Sequence, residues 1–76
     1  MTRKISKRIK ALELIKNIPF YLVADRGGFS RVYATKILKC EVNPSMQIIQ
    51  KICIGFGISL HYFFSGIMFT EIETGL

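Results

Sequence analysis

Residues 20–39 constrain the fold of this chain more than any other stretch, because they pattern as two short helices joined at a glycine. The sequence there is FYLVADRGGFSRVYATKILK, in which Ala24 and Gly28 stand four residues apart. Val23 precedes the alanine and Phe29 follows the glycine. A small residue lets two helices approach closely, and a glycine tolerates the positive φ of a tight turn. The stretch therefore predicts a helix-turn-helix.

Apolar residues at helical spacing extend this pattern along the chain and predict five helices. We expect helices over about residues 6–17, 20–26 and 31–39, a loop over 40–44, a fourth helix capped by Ser45 and a fifth that begins at Ser59. The expected core is Ile9, Leu12, Val23, Ala24, Phe29, Ile37, Ile48, Ile49, Ile52, Phe56, Leu60 and Phe63.

The domain boundary is expected near Gly66, where the helical pattern ends. Residues 1–66 then form one compact all-α domain, and residues 67–76 form a C-terminal tail. A short strand, a coil and a partner-binding extension are all compatible with this tail.

The chain is basic, with eleven Lys and Arg against five acids and a formal net charge of +6. Two of the acids lie in the tail, so residues 1–65 carry eleven basic side chains against Glu13, Asp25 and Glu41, a formal +8. A basic surface favours a polyanion, and nucleic acid is the first candidate.

A transmembrane segment is the rival reading of residues 52–70, because these nineteen residues carry no formal charge. Glycine, serine and histidine interrupt the run at positions where two short helices would need caps. Gly57 would end one helix, Ser59 would start the next and Gly66 would end it. We therefore expect no membrane association.

The helix-turn-helix and two further segments together resemble the lambda-repressor-like (Cro/repressor, or XRE) family. Residues 43–45, Asn-Pro-Ser, are similar to the family's junction before its fourth helix. Residues 57–66 resemble its closing segment, and the three matches stand in the correct spacing. The resemblance implies a small DNA-binding transcriptional regulator, most simply a repressor.

In this family the second helix of the motif enters the major groove of double-stranded DNA. The resemblance assigns base contacts to Ser30, Arg31, Val32 and Lys36. It assigns phosphate contacts to Tyr21, Tyr33, Thr35, Lys39 and Asn43.

The start of the second helix departs from the family pattern. Pro19 and Phe20 stand where the family usually has a capping Ser or Thr followed by Gln. Gly27 occupies a position that is normally apolar, and Ala34 is smaller than the usual residue, so we expect Phe29 to fill the vacated space. These departures weaken the expectation of tight DNA binding, but they leave the fold unaffected.

No constellation of side chains indicates catalysis. His61 is the single histidine, and no second ligand has metal-binding spacing with it. Cys40 and Cys53 lack a metal-ligand spacing, and no signal-peptide pattern opens the chain, so we expect a reducing cytoplasm. The sequence predicts neither an enzyme nor a bound metal or cofactor.

Aromatic and aliphatic residues near the C-terminus exceed what a core of this size can hold. An exposed apolar patch usually marks an interface. We therefore expect a homodimer built on the fifth helix and the tail. The expected interface residues of this homodimer are Tyr62, Phe64, Ile67, Met68 and Phe69.

A second function also remains open. The chain could be a protein-interaction module that binds another regulator, as an antitoxin or an anti-repressor does.

Overall fold

Five α-helices make up residues 2–66, which are the part of the chain that the computed structural model describes. The described residues contain no strand, so the predicted all-α class is confirmed. The tail at residues 67–76, with the open choice between strand and coil, lies outside the described residues. The helices are α1 Thr2–Lys16, α2 Phe20–Gly27, α3 Arg31–Leu38, α4 Met46–Phe56 and α5 Leu60–Gly66.

The first helix is longer than the sequence predicted, because it begins at Thr2 and not near Ser6. Ile5 extends the apolar stripe by one turn and is 1% exposed, so burial stabilises the added turn. The predicted end is confirmed: α1 stops at Lys16, and Asn17 takes a left-handed conformation with φ 55°.

Serine N-caps set the starts of α3, α4 and α5, and glycine C-caps set the ends of α2 and α4, as the sequence predicted. Each capping hydroxyl accepts a hydrogen bond from the backbone N–H three residues on, which satisfies one donor of the first turn. The glycines adopt the left-handed conformation that closes a helix. The caps are Ser30 to Tyr33 at 3.0 Å, Ser45 to Ile48 at 3.3 Å and Ser59 to Tyr62 at 3.0 Å, with Gly28 at φ 81° and Gly57 at φ 72°.

The start of α2 is capped from another helix. Pro19 provides no side-chain hydrogen bond, but the Glu13 carboxylate of α1 accepts one from the backbone N–H of Phe20 at 2.8 Å. A carboxylate is favourable at the positive end of a helix dipole. Glu13 therefore replaces the Ser or Thr cap that the sequence lacks.

The predicted core is largely confirmed. Nine of the twelve predicted residues are buried, while Phe29, Ile48 and Leu60 pack against the core from partly exposed positions. The prediction omitted Phe20, which is 2% exposed and has its ring centroid 6.2 Å from that of Phe56 and 5.9 Å from that of Phe29. It also omitted Ile5, Ala34 and Cys53, which are buried.

Two glycines allow α2 and α4 to pack closely against each other. A Cβ on Gly27 would overlap the carbonyl oxygen of Lys51. A Cβ on Gly55 would lie 2.6 Å from the carbonyl oxygen of Val23. Both obstacles are backbone atoms, which cannot move aside as a side chain can. Gly27, which departed from the family pattern in the sequence, therefore has a packing role.

Gly55→Ala is expected to destabilise the fold by about 1–3 kcal/mol, because the added methyl group must push α2 and α4 apart. Urea denaturation followed by circular dichroism measures the change. Ile54→Ala is the matched control, since Ile54 is the preceding residue of α4 and is 69% exposed. Equal denaturation midpoints for Gly55→Ala and the wild type would show that the two helices are not in close contact.

Arg8 of α1 forms hydrogen bonds to the backbone of α5. Its Nε and Nη2 atoms donate hydrogen bonds to the carbonyl oxygens of Phe63 at 3.0 Å and Tyr62 at 2.8 Å. Its guanidinium carbon also lies 5.1 Å from the centroid of the Tyr62 ring. A cation is favourable at the C-terminal end of a helix, so Arg8 fixes the position of α5.

Within residues 2–66, no single helix has the length and apolarity needed to cross a membrane. The pair α4 and α5 meets the length and composition criteria only when taken together, and a bend of 100° separates the two.

Candidate nucleic-acid interface

One face of α3 is exposed over its whole length. Ala34 and Ile37 are buried and hold the opposite face against the core. All four residues predicted to contact bases lie on the accessible side, and Val32 is 68% exposed although it is apolar. The exposed residues at this face are Ser30, Arg31, Val32, Thr35, Lys36 and Lys39.

Ser6 of α1 fixes the C-terminal end of α3. Its side chain is 3% exposed, and its hydroxyl donates a hydrogen bond to the carbonyl oxygen of Leu38 at 2.9 Å. Ser6 was predicted to lie near the start of the first helix, with no role at the site. Its spacing of three from Ile9 could have revealed it, since residues three apart share a helix face.

Arg31, the first residue of α3, has two neighbours from α2. The Asp25 carboxylate accepts hydrogen bonds from its Nε at 3.1 Å and its Nη2 at 2.6 Å. The Tyr21 ring centroid lies 5.1 Å from its guanidinium carbon, within the range of a cation–π contact. Sequence reasoning did not find this cluster. Asp25 precedes Arg31 by six residues, and only the turn between the helices brings the two together.

Asp25 and Arg31 each shift the pKa of the other. The hydrogen bond from Arg31 lowers the pKa of Asp25, and the hydrogen bond to Asp25 raises the pKa of Arg31. Both groups are therefore charged at neutral pH. The pair is exposed, with side-chain exposures of 63% for Arg31 and 43% for Asp25, so it contributes little to folding stability.

The residues predicted to contact phosphate differ in exposure. Tyr21 is exposed beside Arg31, and Tyr33 is half-buried in the first turn of α3. Thr35 donates its hydroxyl to the carbonyl oxygen of Arg31 at 3.1 Å. Asn43 is exposed in the loop that leads to α4. A shallow depression of about 270 Å³ joins Val32, Thr35, Lys36, Lys39 and Glu41.

The predicted dimer residues fall into two groups. Tyr62 is 41% exposed, which agrees with a surface role. Phe64 is half-buried and packs edge-on against Phe63, with centroids 5.3 Å apart. The remaining three, Ile67, Met68 and Phe69, lie outside the described residues.

The residues considered for catalysis belong to three different elements. His61 is exposed on α5, Cys40 is exposed after α3 and Cys53 is buried in α4. Burial raises the pKa of the Cys53 thiol, which disfavours the nucleophilic thiolate. Residues 2–66 contain no group of three or more His, Cys, Asp or Glu side chains that could hold a metal ion.

Comparison with known proteins identifies the fold. A scan against protein-family models found no match, and a comparison with curated proteins found none either. Among solved structures, the chain is similar to a point mutant of the restriction-modification controller protein C.Esp1396I. The TM-score is 0.85, the sequence identity is 25%, and the match covers 96% of each chain. This chain therefore has the lambda-repressor-like (XRE-type) helix-turn-helix fold, as its sequence predicted.

Proposed function

We propose that this protein is a sequence-specific DNA-binding transcriptional regulator that reads the major groove with α3. The observation that carries the proposal is the exposed polar and basic face of α3, held by its buried face and by Ser6. The similar structure is that of a restriction-modification controller protein, which supports a regulatory role. A recognition helix docks with residues near its N-terminus facing the base edges.

Each base-facing residue has a distinct chemical role in this proposal. Arg31 donates two hydrogen bonds to O6 and N7 of a guanine, the commonest specific contact. Val32 contacts a thymine methyl group, and its exposure leaves it accessible to do so. Ser30 contacts a base edge or phosphate beside its own helix, and Lys36 reaches a guanine or a phosphate one turn further along.

Contacts to phosphate hold the protein in register without reading sequence. Tyr21, Tyr33, Thr35, Lys39 and Asn43 supply these contacts, together with the backbone amides at the start of α4. The first amide of α2 takes no part, because the Glu13 carboxylate already accepts its hydrogen bond. The proposed phosphate contacts therefore come from Tyr21 of α2, from α3, and from the loop and helix start that follow it, without the first amide of α2.

Lys39→Ala is expected to weaken binding to all duplexes about equally, because a phosphate contact carries no sequence information. The slope of log K against log salt should become shallower by about 1 per protomer. Fluorescence anisotropy at four salt concentrations, with a preferred and a scrambled duplex, measures both quantities. A preferred duplex is first selected from a random pool. A loss confined to the preferred duplex would instead make Lys39 a base-reading residue.

Repression is the simplest mode of action for a regulator of this size, since a protein bound over a promoter excludes other proteins from it. A homodimer in the cytoplasm would place two copies of α3 about one helical turn apart on DNA. The exposed ring of Tyr62 supports an interface at α5. The tail residues Ile67, Met68 and Phe69 extend this interface in the proposal.

A protein-interaction module is the second candidate function. Exposed apolar side chains favour it, because Leu14 is 85% and Ile15 is 58% exposed near the end of α1. They lie on a helix outside the helix-turn-helix, so a protein partner could bind there without using α3. Failure of a random-duplex selection to enrich any sequence would favour this candidate over the first.

A further inference from the structure

The Asp25 carboxylate binds one edge of the Arg31 guanidinium and leaves a second edge available for another hydrogen-bond acceptor. Arginine has five N–H donors, which are one on Nε and two on each Nη. Asp25 takes the Nε–H and one Nη2–H. The second Nη2–H and one Nη1–H point in parallel from the adjacent edge. Two parallel donors on that edge are what a guanine accepts through O6 and N7.

Asp25 and guanine can therefore bind Arg31 at the same time, on different edges. A phosphate can also accept from this free edge, but the Nε–Nη2 edge becomes available to the DNA backbone only if Arg31 leaves the carboxylate. The Tyr21 ring, 5.1 Å away, limits the same side chain from a third direction. Asp25 and Tyr21 thus restrict the orientation of a long side chain that otherwise has many rotamers.

We propose that Asp25 is a specificity-determining positioning residue, which holds Arg31 so that its Nη1–Nη2 edge can bind a guanine while its Nε–Nη2 edge is withheld from the DNA backbone. The inference rests on the proposed function, since it assumes that α3 reads DNA. An acid at this position is unfavourable for DNA binding in general, because phosphates repel it. Its effect on a sequence with guanine at the right position is the opposite, because it pre-orients the donors that this base requires. Asp25 raises the ratio of specific to non-specific affinity.

Tyr21 shares this role through its ring. The hydroxyl of Tyr21 can contact phosphate, whereas the face of its ring makes a cation–π contact with the Arg31 guanidinium. Tyr21→Phe keeps the ring and should retain the preference for guanine. Tyr21→Leu removes the ring and should reduce that preference.

The test compares Asp25→Asn with Glu41→Gln, two substitutions that each remove one exposed negative charge and keep the side-chain shape. Both should bind a scrambled duplex slightly more tightly than the wild type does. The decisive quantity is the ratio of the affinity for the preferred duplex to the affinity for a duplex in which the guanine is replaced. Asp25→Asn alone should lower this ratio, by about tenfold, which is within the range for one bidentate base contact. Circular dichroism confirms that each variant is folded.

A double-mutant cycle makes the test specific to Arg31. In the Arg31→Ala background, Asp25→Asn should change the affinity ratio no further, because the residue that Asp25 positions is gone. An undiminished effect in that background would overturn the inference, as would equal ratios for Asp25→Asn and Glu41→Gln.

The two proposals fail in distinguishable ways. If the wild type prefers one sequence and Arg31→Ala reduces that preference while Asp25→Asn does not, only the inference about Asp25 is wrong. If the wild type prefers no sequence, the proposed function is wrong and the inference falls with it.

Discussion

Arg31→Ala is expected to lower affinity for the preferred duplex by about 1–3 kcal/mol at each half-site and to relax the preference at one base pair. The loss arises because two hydrogen bonds to one guanine disappear together. Affinity for a scrambled duplex should fall much less, since most of that binding comes from other basic side chains. Anisotropy titrations with duplexes that vary only at the guanine position measure the change.

Lys39→Ala is the matched variant for this experiment, because it also removes one exposed cation from α3 or its end. The two substitutions change the net charge equally but should separate by their effect on sequence preference. If neither changes binding to the preferred duplex, α3 is not the reading element. The protein-interaction function would then become the better account of the chain.

Phe69→Glu is expected to convert a homodimer into a monomer, because a charge in an apolar interface is costly to bury. Operator affinity should fall by about 10²–10⁴, which is the advantage that a second linked binding site provides. Deleting residues 67–76 should give the same result. Sedimentation equilibrium measures the assembly, and anisotropy measures the affinity.

Leu14→Glu is the control for this prediction, since Leu14 is an exposed apolar residue on α1, outside the proposed interface. It should leave both the sedimentation and the affinity unchanged. A wild type that is monomeric at tens of micromolar would contradict the dimer. Dissociation by Leu14→Glu and not by Phe69→Glu would place the interface on α1.

The order of the helices was predictable from the sequence because local signals agree with one another. Ser30, Ser45 and Ser59 mark helix starts, Gly28 and Gly57 mark ends, and the apolar spacing between them is helical. Such signals act within a few residues of the chain, so a single sequence is enough to read them.

Contacts between distant residues were not predictable in the same way. Phe20 was noted only as a departure from the family's Gln, yet it is buried and stacked on Phe56, and Glu13 supplies the cap that Pro19 lacks. Gly27 was noted only as a departure from a normally apolar position, although it is needed for close approach to α4. In both cases the partner lies on another helix, and helical periodicity does not specify which helices meet.

At the candidate site, too, the features set by local sequence were predictable and the contacts between helices were not. The exposure of Ser30, Arg31, Val32 and Lys36 follows from the pattern of α3, and the structure agrees. The two hydrogen bonds from Arg31 to the Asp25 carboxylate depend on the geometry of the turn between α2 and α3, and no sequence signal indicates them.

The most direct test of a DNA-reading function is the affinity ratio of the wild type for a selected duplex and a scrambled duplex of equal length. The measurement is anisotropy at about 150 mM salt, after selection from a random pool. We expect tighter binding to the selected duplex by about 10³ or more, the ratio typical of specific regulators, with both affinities falling as salt rises. Equal affinity for the two duplexes, or no binding to either, would contradict it.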